Sequence, residues 1–239
     1  MPPLTVALLL LAAFFHASWN AILRGGADRL WSITMMGVVG GGAAAFAALW
    51  APAPHVASWP FIVLSAVLQA GYTLFLVRAY RDGHLAQVYP IARGTAPLLV
   101  TAGAWLVAGE NLTSTTMVGV ILVSGGVMLL ALGRDRPDAR STGAALVTGA
   151  FIASYMVTDG IGVRRSEAPV SYALWLAALQ GLTLLATYCL LRRSLPARLR
   201  GRQGMLTAVA ALIGNVGYGI ALWAMSASPM GQVSALRET

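Results

Sequence analysis

Residues 85–107 read LAQVYPIARGTAPLLVTAGAWLV, and the placing of one charge in that run governs the reading of the whole chain. The run has the length and apolarity of a membrane span, yet Arg93 lies inside it, flanked by Pro90 and Pro97. A charge in the middle of a bilayer costs roughly 2.5–3.5 kcal/mol on insertion scales, so it turns toward protein or water and away from lipid. The rest of the sequence must supply what Arg93 faces.

The surroundings fit that reading. The chain has 239 residues, 58% hydrophobic and 10% charged, with a mean hydropathy of +0.73. Soluble domains carry roughly 25% charged residues, so this is an integral membrane protein. All 16 basic residues are arginines, and the formal charge is +8. Fourteen of them sit in short loops rather than on a basic face with interleaved aromatics, which argues against a nucleic-acid partner. The single cysteine, Cys189, excludes an intrachain disulfide. The apolar N-terminus lacks a basic leading region and is followed by many spans, so it reads as a retained first helix and not as a signal peptide.

A bilayer span needs about 20 apolar residues. Eight runs meet that need: 4–23, 31–51, 59–79, 85–107, 114–132, 142–161, 170–191 and 204–225, with a ninth starting at Pro229. They lack the alternation of barrel strands, so the expected class is an all-α polytopic membrane protein. Arginine placement gives the orientation. The odd-numbered connections hold Arg24, Arg29, Arg78, Arg81, Arg134, Arg136, Arg140, Arg192, Arg193, Arg198, Arg200 and Arg202, whereas the even ones hold Arg164 and Arg165. The positive-inside rule then puts the odd loops in the cytoplasm and the N-terminus outside, in an inner (plasma) membrane.

The chain also repeats itself. Phe15–Trp19 (FHASW) matches Phe151–Tyr155 (FIASY), Gly71-Tyr72 matches Gly217-Tyr218, and Gln87-Val88 matches Gln232-Val233. The matches keep their order at offsets of 136, 146 and 145. A repeat unit of five helices is odd, so the two halves, 1–133 and 134–239, insert with opposite orientation, as in many secondary transporters. The second half would then lack most of a ninth helix and all of a tenth. The expectation is a truncated ten-helix protein, which a longer reading frame in the source DNA would support.

HASWN in the first helix, AYRDGHLAQVYPIARGTAP across the third and fourth, Gly109-Glu110 and the two halves together resemble the EamA-type drug/metabolite transporter superfamily. The resemblance implies a ten-helix carrier of small metabolites or drugs, with a central cavity lined mainly by helices one, three, four, six, eight and nine. Its substrates range from amino acids and sugars to nucleotide sugars and organic phosphates, so it leaves the cargo open.

Polar groups away from span ends are the site candidates, because hydrocarbon offers them no partners. Helix one supplies His16, Trp19 and Asn20. His16 and Asn20 share a face, and they form either a titrating or substrate-binding pair or an interhelical hydrogen bond. Gln69 and Tyr72 follow on helix three, Tyr89 on helix four, Tyr155 on helix six, and Asn215 and Tyr218 on helix eight. Trp19, Tyr72, Tyr155 and Tyr218 form two repeat-related pairs, which could cage an organic substrate or simply pack. Asp159, near Arg164 and Arg165, is expected in an ion pair at the membrane surface.

At an offset of 145 the counterpart of Arg93 is Glu238, with Arg237 beside it. Either arginines from both halves converge on an anionic substrate, or Arg93 neutralises Glu238, an arrangement favoured because an unpaired buried carboxylate is costly. A pair that opens on binding would serve as a gate. Gly37 and Gly41 make a small-xxx-small face in helix two. With no lysine there is no Walker-type phosphate loop. No catalytic group, metal cluster or cofactor site is expected, and Ser18 beside His16 is too little for an enzyme. The expected partners are a small-molecule substrate and the bilayer, with a homodimer left open. The reading is a secondary transporter driven by a solute or proton gradient, its inverted halves rocking about the cavity. The alternative is a transport-inactive fragment or membrane-associated subunit.

Overall fold

The structure is a computed structural model that describes residues 1–23, 28–82, 85–130, 139–196 and 201–238, with the side chains at 23, 29, 77–82, 85–88 and 140 also outside the description. Most arginines used for the orientation, Arg24, Arg29, Arg78, Arg81, Arg134, Arg136, Arg140, Arg198 and Arg200, lie outside the described residues or side chains.

Among the described residues the regular structure is helical. The helices are α1 (Pro3–Leu23), α2 (Arg29–Ala48), α3 (Trp59–Asp82), α4 (Leu85–Ala108), α5 (Ser114–Leu129), α6 (Ala139–Arg165), α7 (Pro169–Arg192), α8 (Gly201–Ala227) and α9 (Met230–Glu238). Local chemistry sets several boundaries. Asp28 caps α2 by accepting from the Trp31 N–H at 3.0 Å. Thr113 caps α5 by accepting from Thr116 N–H at 3.2 Å. Each satisfies a donor that the first turn leaves free. Pro169 opens α7, where its missing N–H costs nothing, and Arg193 closes it in the left-handed region at φ 50°.

Seven helices are long and apolar enough to cross a membrane. The exception among the expected eight is α5, at 16 residues. That is about 24 Å of helix against a hydrocarbon core of roughly 30 Å. It ends at Leu129, ahead of the expected 132, and 131–138 lie outside the described residues. Polarity is inverted relative to a water-soluble bundle: Val107 is 72% and Leu122 69% exposed, while Arg93 is 4% and Asp159 0% exposed. Such an exterior suits lipid, and such an interior gives the polar groups one another. The chain is a multi-pass membrane protein.

The helices pack in pairs that cross between the repeats. α1 lies on α8 as α6 lies on α3; α3 meets α7 as α8 meets α2; α4 meets α6 as α9 meets α1. Exchanging the first four helices with α6–α9 in order maps each of these contacts onto its counterpart. The repeated motifs are themselves the partners. A Cβ on Gly217 would stand 3.2 Å from Phe15 Cβ, and one on Gly71 would stand 2.7 Å from the Phe151 ring. Two contacts pair a helix with its own counterpart, α2 with α7 and α4 with α9. The central cavity lies between those two seams.

Candidate functional site

The cavity has a volume of about 510 Å³ and takes wall residues from α1, α2, α3, α4, α6, α7, α8 and α9. Eight helices are more than the resemblance implied, since α2 and α7 also wall it. Of the expected site residues, His16, Trp19, Gln69, Tyr72, Arg93, Tyr155, Asn215, Tyr218 and Arg237 line it. Asn20, Tyr89 and Glu238 do not, but each touches a residue that does.

On α1, Asn20 Nδ2 donates to the His16 carbonyl at 2.8 Å and lies 3.3 Å from His16 Nε2. Those bonds are within one helix and not between helices. His16 also meets the Trp19 ring edge-on at 5.1 Å, which fixes both side chains on the cavity wall. The tyrosines form a run: Tyr72 and Tyr155 have ring centroids 5.9 Å apart, and Tyr155 and Tyr218 6.2 Å, both pairs near T-shaped. Edge-to-face geometry is the favourable one for aromatic quadrupoles.

Arg93 reaches Glu238 with one nitrogen, Nη1 lying 2.9 Å from Oε1 and 3.0 Å from Oε2. The two side chains are 5% and 2% exposed, and Tyr89 stacks on the guanidinium at 5.2 Å. Pro97, one turn after Arg93, lacks the N–H that would bond the Arg93 carbonyl, so α4 is weakened at its charge. Beside the pair, Arg237 lies over the Tyr218 ring at 4.7 Å. It is 7% exposed, and its Nη1 has no hydrogen-bond partner.

Asp159 corrects the expectation of a surface ion pair. It is fully buried, accepting from Tyr172 Oη at 2.9 Å and Tyr218 Oη at 2.5 Å. The reason is azimuth. Arg164, five residues on, points about 140° away around the helix. There it binds Glu110, the Met225 carbonyl at 2.9 Å and the Ser228 carbonyl at 2.9 Å. Glu110 in turn accepts from the Met230 N–H at 3.1 Å, at the start of α9. Arg165 stacks on Phe61 at 4.9 Å. Asp159→Ala is expected to strand two buried hydroxyls, costing about 1–3 kcal/mol for each. Asp159→Asn, which keeps an acceptor, should cost less. Thermal unfolding in detergent measures both, and equal midpoints for the two variants would refute this account of the carboxylate.

Sequence reasoning missed Gln180. Its Nε2 donates to Gln69 Oε1 at 2.5 Å, while Gln69 Nε2 donates to Ser65 Oγ at 3.1 Å. The signal was present, since an amide in the middle of α7 needs a partner. Asn215 donates to the Gly40 carbonyl at 2.9 Å, an approach that the absence of a side chain at Gly40 permits.

A model of the EamA-like transporter family matches residues 3–132, more than half of the chain. A search of the curated proteins gives no match. One solved structure, described as the crystal structure of a protein, superposes with a TM-score of 0.71 at 21% identity. It covers 98% of this chain and 82% of its own, and at that identity it bears on the fold alone.

Proposed function

The chain belongs to the EamA-like transporter family, and from that premise we propose that it carries a small organic solute across the inner membrane by alternating access. The observation that carries the reading is the cavity itself. At about 510 Å³ it falls within the roughly 300–1,000 Å³ of small-molecule sites. It takes aromatic and cationic groups from both of the proposed repeats, 1–133 and 134–239.

The packing favours moving bodies drawn from both repeats. In this proposal α1, α2, α8 and α9 move as one bundle, and α3 to α7 as the other. The α2–α7 and α4–α9 seams join them, with further contacts of α9 on α5 and of α8 on α6 and α7. At one end, Arg164 and Glu110 of the second bundle hold Ser228 and Met230 beside the first. At the opposite end, Arg192 holds Asp28 at 2.7 Å. A carrier that opened one end at a time would release these contacts in turn. The Arg192–Asp28 pair is 49% and 41% exposed, and an exposed ion pair is worth only about 0–1 kcal/mol, so that end would part more easily.

A proton or solute gradient would drive the cycle. His16 on the wall and Asp159, one hydrogen bond behind Tyr218, are the groups on which a coupling proton would ride. The arginine bias among the loops supports the odd-numbered end facing the cytoplasm and the N-terminus lying outside. The test is reconstitution of the full chain in proteoliposomes, with radiolabelled amino acids, sugars and organic acids under imposed pH and counter-solute gradients. Saturable, gradient-dependent movement of at least one solute is expected. A folded protein that moves none of them would instead be an associating subunit.

A further inference from the structure

Around the cavity the carboxylates are each committed to hydrogen bonds elsewhere, and Arg237 is left with a donor that none of them takes. Glu238 gives both oxygens to Arg93 Nη1. Asp159 takes its hydrogen bonds from Tyr172 and Tyr218, and Glu110 is engaged with Arg164 and the start of α9. Arg237 lines the cavity and is more than nine-tenths buried. One of its terminal nitrogens is without an acceptor. The Tyr218 ring beneath it holds the guanidinium plane by its face, and a guanidinium held that way offers its N–H edge to a planar anion. A buried donor left unmade is costly, so such a nitrogen is a standing demand for an acceptor.

Resting on the carrier reading, we propose that Arg237 anchors the carboxylate of the transported solute, and that the solute is a monocarboxylate with an apolar or aromatic body. One guanidinium with a free buried donor suits one negative charge. The commitment of Arg93 to Glu238 withholds the second cation that a phosphomonoester or dicarboxylate would need. The same cavity is lined by Tyr72, Tyr155 and Trp19, with aliphatic side chains of α2 and α7. The nearby amides are already engaged, Gln180 with Gln69 and Asn215 with Gly40, so they add little polarity for the solute body.

The test uses the purified full chain in detergent and four probes of similar size: 3-phenylpropionate, its neutral amide, phenylsuccinate and phenyl phosphate. Trp19 and Trp223 lie on the wall and report occupancy by fluorescence. The acid is expected to bind at least about tenfold more tightly than the amide, as a charge-assisted pair would give. Arg237→Gln should erase that preference, and Arg237→Lys should keep part of it. Equal binding of acid and amide, no binding of the acid, a preference surviving Arg237→Gln, or tighter binding of phenyl phosphate or phenylsuccinate would each overturn the proposal. If Arg237→Gln fails to fold, Arg237→Lys and the acid-to-amide ratio of the unsubstituted protein still decide it. Counterflow in proteoliposomes separates the two readings. Uptake of neutral or cationic solutes without the acids defeats the anchor and leaves the carrier. Acid binding with no uptake of any solute leaves the anchor and defeats the carrier.

Discussion

Arg93→Gln is expected to lower the stability of the folded protein by about 3–5 kcal/mol, the usual consequence of leaving one member of a buried ion pair charged and alone. The pair meets the conditions for that value: both side chains are at most 5% exposed, and Glu238 has both oxygens on the arginine. Glu238→Gln should cost a comparable amount, because it leaves Arg93 beside Arg237 with no intervening carboxylate. The double substitution Arg93→Gln with Glu238→Gln should recover most of the loss, since neither charge is then buried unpaired. Unfolding midpoints of the four proteins in one detergent measure the coupling. Additive losses in the double variant would mean that the two residues do not act as a pair. Uptake adds the functional half: Arg93→Lys keeps the charge but not the planar guanidinium stacked by Tyr89, so activity unchanged in both Arg93→Lys and Arg93→Ala would remove Arg93 from the transport cycle.

That pair was legible in the sequence for a geometric reason. An inverted repeat places equivalent helices about a two-fold, and residues close to such an axis meet their own counterparts. Arg93 and Glu238 are 145 apart, the offset at which the flanking motifs match. The same logic brings Phe15 to Gly217 and Phe151 to Gly71, so the short matches report a packing requirement: a ring needs a facing glycine. Span positions were legible too, because bilayer thickness fixes length. Azimuth was not. Nothing in the spacing of Asp159, Arg164 and Arg165 says that the aspartate faces Tyr172 and Tyr218 while the arginines reach other helices. The walls from α2 and α7 were missed for a related reason. Periodicity is silent in helices that are apolar all round, so which face turns inward is settled only by packing.

The α2–α7 seam sets up the second large effect, and it can be graded residue by residue. A Cβ on Gly181 would stand 2.5 Å from the Gly37 carbonyl oxygen and 3.2 Å from Gly41 Cα. These are backbone atoms, which cannot turn aside, so Gly181→Ala must push the helices apart. A cost of about 1–3 kcal/mol is expected, as for other overpacked interiors. Gly41→Ala should behave alike, its Cβ falling 2.8 Å from the Ala177 carbonyl oxygen. Gly37→Ala should be milder, because its closest contact, at 2.7 Å, is the end of the Leu184 side chain, which can rotate. Gly42 faces nothing within 4 Å, so Gly42→Ala should stabilise by roughly 0.5–1 kcal/mol through helix propensity alone. The order Gly181 and Gly41, then Gly37, then Gly42 follows from which atoms stand in the way, and unfolding midpoints test it. Four similar midpoints would mean that the helices do not approach this closely. If the seam is also the pivot on which the two bundles turn, Gly181→Ala should reduce uptake in vesicles by more than its stability loss accounts for. Gly94→Ala, which would meet Met128 and the Ser124 carbonyl inside one bundle at 2.5 and 2.9 Å, should be destabilising without that excess. The contrast separates a hinge from an interface that only holds the fold together.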